Sequence, residues 1–459
     1  MAGIGFELKK IYGRKTLVAN LGGSIYATMS TIGPAVLSMA LILVLKLLLD
    51  QAGLTVLEER FYISATTYAF VIATLAAVPF SAPVSRYISD CIFLDRESDI
   101  CPSAFGVLTL STAVSGIAML LLCAGIYHAS GDSVPMYFLV IYYFMGVLIT
   151  GVYSMMTYAS ALKHYKALTF SFLLGALLAV GVYLLCTRQF GVHKVTAACI
   201  ALVCCYFVIL FTLVFLCVRA FGMPHSRYFA FLPYFRRYPK LALGSVAYTL
   251  GMYCPTLIYW FLSGMAEQVS VFRTTPTYDV SLWLAVVVNM PSLVIFVVKV
   301  ETAFYEKYTM YVSALNNGTH DLIQKERGVM ARALRHQLFF VYEIQLIITV
   351  VLVFLISVFF PYLNASTHML HMFVILSLGI YAVFCMYFTI VVFYYFSDYG
   401  GACISSLVFL AVTALGAAAA VLLNDFYPLP LLLGGLCGWI AAFLLLRRRM
   451  EKLDSFLMC

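Results

Sequence analysis

Long apolar runs, broken by short polar segments, fill the chain from residue 20 to residue 446. A helix crossing a hydrocarbon core of about 30 Å needs about 20 apolar residues. The pattern predicts twelve such helices, over 20–49, 62–88, 103–129, 134–159, 168–187, 195–219, 240–262, 278–300, 337–361, 368–396, 401–423 and 428–446. The 54 charge-free residues between Glu343 and Asp398 are too many for one crossing, and Pro361-Tyr-Leu-Asn-Ala-Ser-Thr367 supplies the break. Ser130-Gly-Asp-Ser-Val-Pro135 separates the third and fourth spans in the same way. A barrel would need alternating polarity along each strand, which unbroken runs exclude. The first span is expected to be retained, because no small-residue cleavage site follows a short apolar core.

Composition narrows the class. The 459 residues are 63% hydrophobic and 10% charged, with a mean hydropathy of +0.99. A soluble domain carries about 25% charged residues, so the chain is expected to be an all-α polytopic membrane protein. With 36 Phe, 32 Tyr and 3 Trp, disorder is excluded. The 13 cysteines are scattered, mostly in apolar runs, and suggest no disulfide framework.

Charge sets the orientation. With the N-terminus inside, the inner segments and adjoining helix ends hold 23 of the 28 basic residues. The outer loops hold only Arg60, Arg188, Lys194 and Arg273. The excess of Lys and Arg on one side predicts that both termini are cytoplasmic. The net charge of +8 is spread over six inner segments, which argues against a nucleic-acid surface.

Two six-helix lobes are expected, over 1–220 and 240–459, joined by a cytoplasmic linker at 221–239. Prolines recur in matching helices of the two halves: Pro34 in the first span and Pro255 in the seventh, Pro79 and Pro83 in the second and Pro291 in the eighth. A proline inside a helix removes one hydrogen bond and clashes with the preceding turn. Paired interruptions of this kind point to hinges and to a transport site. The long inner connection, 301–335, is amphipathic: Phe304, Tyr308, Tyr311 and Leu315 repeat at helical spacing. Asn316-Asn-Gly-Thr319 breaks it before a second, basic helix with Lys325, Arg327, Arg332 and Arg335, and both stretches read as headgroup-plane helices.

Catalytic signatures are missing. The sequence has no G-x-x-x-x-G-K-[ST], no H-E-x-x-H, no C-x-x-C and no D-x-D. No cofactor, metal site or enzymatic role is therefore expected. His368-x-x-His371 reads as interfacial and Asn364-Ala-Ser366 as an outer-loop sequon. Ionisable residues inside spans carry the remaining signal, since each costs about 2.5–3.5 kcal/mol at the bilayer centre even on the lenient scale. Asp279 opens the eighth span after Thr274-Thr-Pro-Thr277, and Glu343 lies two turns into the ninth beside Gln345. Lys46 can snorkel to the outer surface. Lys299 and Glu301 end the eighth span as Arg86 and Asp90 end the second, and suit either helix anchors or an inner gate. Tyrosines such as Tyr142 and Tyr387 could stack on sugar rings, or fill the core and the interfacial belts.

Several stretches resemble one family. Met1-Ala-Gly-Ile-Gly-Phe-Glu-Leu-Lys-Lys10, Gly33-Pro34-Ala-Val-Leu-Ser38, Arg86-Tyr-Ile-Ser-Asp90, Thr275-Pro-Thr-Tyr-Asp279 and Glu301-Thr-Ala-Phe304 are similar to the PelG family, the inner-membrane transporters of Pel exopolysaccharide systems. The resemblance implies the multidrug/oligosaccharidyl-lipid/polysaccharide exporter superfamily, with twelve helices in two lobes about a central cavity. It further implies a Pel polymer rich in N-acetylgalactosamine and partly deacetylated. The implied partners are a cytosolic Pel glycosyltransferase and the membrane scaffold subunits. Relatives often carry an Asp-Lys pair in the seventh span, where this chain has Cys254-Pro255-Thr256. The resulting expectation is export of Pel-type polysaccharide across a bacterial inner membrane. Asp279, Glu343, Tyr387 and Tyr142 are the expected pathway residues. The alternatives are a lipid-linked oligosaccharide or small-molecule flippase, or a non-transporting scaffold for a synthase.

Overall fold

The computed structural model describes residues 33–51, 53–130, 134–162, 165–297, 302–359 and 366–451. Nearly all are helical. In chain order the helices are α1 (Gly33–Gln51), α2 (Val56–Phe93), α3 (Ile100–Ser130), α4 (Met136–Leu162), α5 (Tyr165–Arg188), α6 (Lys194–Phe221), α7 (Pro233–Arg237) and α8 (Pro239–Leu262). A two-stranded hairpin follows, β1 (Glu267–Val269) against β2 (Phe272–Thr274). The remainder are α9 (Pro276–Asn289), α10 (Pro291–Phe296), α11 (Thr302–Asn317), α12 (His320–Phe359), α13 (Thr367–Tyr395), α14 (Tyr399–Leu423) and α15 (Leu429–Glu451). Among the described residues, 11 segments are long and apolar enough to span a membrane. The remaining predicted span, the first, is represented by α1.

Local chemistry sets the helix ends. Thr55 and Glu58 form a capping box that starts α2, with the Thr55 amide donating to Glu58 Oε2 at 3.0 Å. Asp398 caps α14 by accepting from the Gly401 amide at 3.1 Å. The α6 helix stops at Gly222, whose φ of +84° suits a residue without a side chain.

The chain divides into two compact units. One comprises Gly33–Tyr253 with Met265–Thr274, and the other includes Cys254–Gly264 and Thr275–Cys459. In the first unit α4 packs against α2, α3 and α6, and α5 lies on α6 and α1. Hydroxyl pairs stitch α3 to α4: Thr150 donates to Ser115 Oγ at 2.7 Å, Ser154 to Ser111 Oγ at 2.7 Å, and Ser103 and Tyr158 share a 3.1 Å bond. Such polar pairs and small residues are what hold helices together where lipid supplies no hydrophobic drive. In the second unit α13 is the central helix, packed on α9, α12 and α15.

One expectation changes on this scaffold. The basic helix and the ninth span are one helix, α12, of 40 residues. At 1.5 Å per residue it is about 60 Å long, roughly twice the hydrocarbon thickness. No proline or glycine lies between Arg335 and Glu343 to separate the two parts. Pro79, Pro83 and Pro255 lie inside unbroken helices, whereas Pro291 coincides with the break between α9 and α10. Pro34 is the second residue of α1, and the segment before it lies outside the described residues, as do Lys299, Glu301 and Asn364.

Candidate functional site

Among the expected pathway residues, Asp279 is the most thoroughly bonded. Pro276 begins α9, which brings Asp279 back over the helix entrance. Its Oδ2 accepts from Trp260 Nε1 at 2.9 Å and from the Thr275 amide at 3.1 Å, and its Oδ1 accepts from Thr275 Oγ1 at 3.3 Å. Beside it Tyr259 stands edge-on to both Tyr278 and Tyr427, with ring centroids 4.9 and 5.1 Å apart, and donates to the Tyr427 carbonyl at 2.8 Å. The carboxylate thus joins α8 to α9.

Glu343 and Gln345, neighbours in the chain, face different surroundings. Gln345 is buried and donates to Asn289 Oδ1 at 3.2 Å and to Thr349 Oγ1 at 2.9 Å. Thr349 also donates to Asn289 Oδ1 at 2.9 Å, while Asn289 Nδ2 donates to the Ser377 carbonyl at 3.0 Å. This bracket ties the end of α9, at its break, to α12 and α13. The Glu343 side chain is exposed instead, and no basic group pairs with it among the described residues.

Aromatic side chains surround the Glu343 turn. The Tyr342 ring lies 5.1 Å from Trp439 of α15, and Tyr381 of α13 lies 6.2 Å from the same indole. Tyr381 is held in place by donating to the Tyr342 carbonyl at 3.1 Å. One turn earlier Phe339 meets Phe443 at 6.1 Å, with the Arg335 guanidinium 5.8 Å above its ring.

The remaining candidates lie in the first unit or on α13. Tyr142 is buried, donates to the Ala65 carbonyl at 3.0 Å and stands edge-on to Phe272. Tyr387 is half-buried on α13. Lys46 pairs with Glu59 at 2.8 Å. Arg86 pairs with Asp90 at 3.1 Å, one turn apart on α2. Tyr234 of α7 also donates to Asp90, at 3.0 Å. Desolvation and the Asp90 carboxylate together push the Tyr234 phenol up to about 12, so it remains a donor at neutral pH. Asp99 takes the other end of the same linker, accepting from Arg227 at 3.1 Å with His225 at 3.4 Å. Missed from the sequence were Asn289 and Trp439; the signal for Asn289 was an amide directly before the Met290-Pro291 break.

Residues 1–457 match the family described as "PelG: Putative exopolysaccharide Exporter (EPS-E)". The chain belongs to the PelG exopolysaccharide exporter family. The fold agrees with that of the superfamily the sequence suggested. An outward-facing multidrug resistance MATE family transporter of the MOP superfamily matches at a TM-score of 0.61 and 15% identity, covering 94% of this chain and 95% of that one. A MOP superfamily transporter from Pyrococcus furiosus matches at 0.64 and 13% identity, covering 94% and 96%. At these identities the likeness concerns the fold. No curated protein matches the chain. Family and fold point to a multi-pass membrane transporter of the PelG family, not to an enzyme.

Proposed function

We propose that this chain exports a Pel-type exopolysaccharide across the cytoplasmic membrane of a bacterium. A cytosolic glycosyltransferase would supply the growing polymer, and membrane scaffold subunits of the same system would hold the two together. Both termini would then be cytoplasmic, as the basic inner segments favour. The observation that carries this reading is a family match spanning residues 1–457 of a chain with a transporter fold.

Of the polar groups within the spans, Glu343 is the one we assign to the polymer path. A partly deacetylated polymer carries ammonium groups, which an exposed carboxylate attracts. Contacts of this kind must be weak and repeated if a long chain is to leave. The test is secretion of polymer by cells with and without this chain while the synthase stays active. Polymer retained in the cytosol of the deletion strain supports export. Undiminished secretion overturns it.

A further inference from the structure

We infer that the surface formed by Glu343, Tyr381, Trp439 and Phe443 is a saccharide-binding face for pyranose rings bearing ammonium groups. The inference rests on the export reading and deepens it by naming where the polymer is held and which chemistry is selected.

The contrast among carboxylates is the first support. Asp279 accepts from Trp260 and Thr275, Asp398 from Gly401 and Arg449, and Asp90 from Tyr234 while pairing with Arg86. Each of these has a structural task that its partners define. Glu343 is exposed on a predominantly apolar helix and has no ion-pair partner among the described residues. An unpaired carboxylate within a span is costly, and no bond in the structure explains its retention.

The rings beside it are the second support. The axial C–H groups of a pyranose form an apolar face that stacks on an aromatic ring, and an ammonium group is drawn to both a carboxylate and a ring face. Trp439 and Tyr381 are half-buried, so each keeps surface available, and the Tyr381 bond to the Tyr342 carbonyl fixes its ring. The Trp439 indole Nε1 is itself buried beside Tyr342, so it is the exposed part of the ring, not the N–H, that is available for stacking. A metal is a poorer occupant: no three His, Cys, Asp or Glu side chains converge among the described residues.

Ammonium groups reach a membrane protein from two sources, amino sugars and phosphatidylethanolamine headgroups. The test separates them. Full-length protein in nanodiscs of phosphatidylcholine and phosphatidylglycerol is titrated with a β-1,4-linked glucosamine hexamer and with its fully N-acetylated counterpart, following tryptophan emission. The glucosamine hexamer should bind about tenfold tighter than the acetylated one, a charge-dependent preference. Glu343→Gln should erase that preference with no change in melting temperature, and Trp439→Phe should remove the emission change. Unaltered preference in Glu343→Gln overturns the proposal, as does failure of both hexamers to bind. Adding phosphatidylethanolamine should leave the titration unchanged; its displacing the hexamer completely would reassign the face to lipid. The export reading fails separately. If deleting the chain stops secretion while Glu343→Gln binds and exports normally, the face is wrong and export stands.

Discussion

Residues of the same chemistry meet opposite surroundings in this protein. Asp279 and Glu343 are both acidic and both sit near the start of an apolar stretch, yet one is bonded from three sides and the other is exposed. Asp279→Asn keeps the shape but loses the charge that strengthens those bonds. It should lower stability by about 1.5–3 kcal/mol, read as a fall in the thermal unfolding midpoint in detergent. Export should then decline only with the amount of folded protein. Loss of export at an unchanged midpoint would assign Asp279 to the polymer path instead. Asn289→Leu removes the acceptor shared by Gln345 and Thr349. A cost of about 1–2 kcal/mol is expected, because polar pairs between membrane helices average below their values in water. Thermal unfolding again provides the measurement.

Elements are joined by two devices, small residues and clasped loops. A Cβ on Gly434 of α15 would collide with the Thr413 hydroxyl of α14. Gly434→Val should therefore force α14 and α15 apart and lower the unfolding midpoint more than any surface change. An equal midpoint would show that Thr413 can turn aside. The linker after α6 is clasped at both ends, by Asp99 through Arg227 and by Asp90 through Tyr234. Its path is also narrow at Gly106, where a Cβ would collide with the Tyr228 carbonyl. Asp90→Asn combined with Asp99→Asn should free the linker and increase trypsin cleavage after Arg227 and Arg236 several-fold. Unchanged digestion would mean that the rings hold it without the charges, chiefly Tyr87 against Tyr234 and Phe80 against Phe235. Three of the prolines within helices are accommodated without a break, and one, Pro291, coincides with an interruption that the Asn289 bracket then supports.

At the scale of the whole molecule, orientation is the property most exposed to test. A green fluorescent protein fused after residue 459 should fluoresce, and alkaline phosphatase at the same point should be inactive, if the C-terminus is cytoplasmic. The reverse pattern would invert the topology and place the basic segments outside. The class of the molecule is legible in the amino-acid sequence, because hydropathy over about 20 residues reports the solvent around a helix whatever its neighbours are. The family, too, is legible from the blocks that begin with Met1-Ala-Gly-Ile-Gly.

What the sequence determined by itself, then, was the approximate place of the 11 spans found among the described residues, the membrane class and the family. All three depend on neighbours in the chain. Tertiary structure alone decided which polar groups are bonded and to which partners. Trp260 reaches Asp279 across 19 residues and Asn289 meets Gln345 across 56, so neither bond leaves a local trace. It also decided which side of α12 is covered, leaving Gln345 buried and Glu343 exposed. A residue's polarity is written in the sequence; its partner is set only when helices distant in the chain pack together.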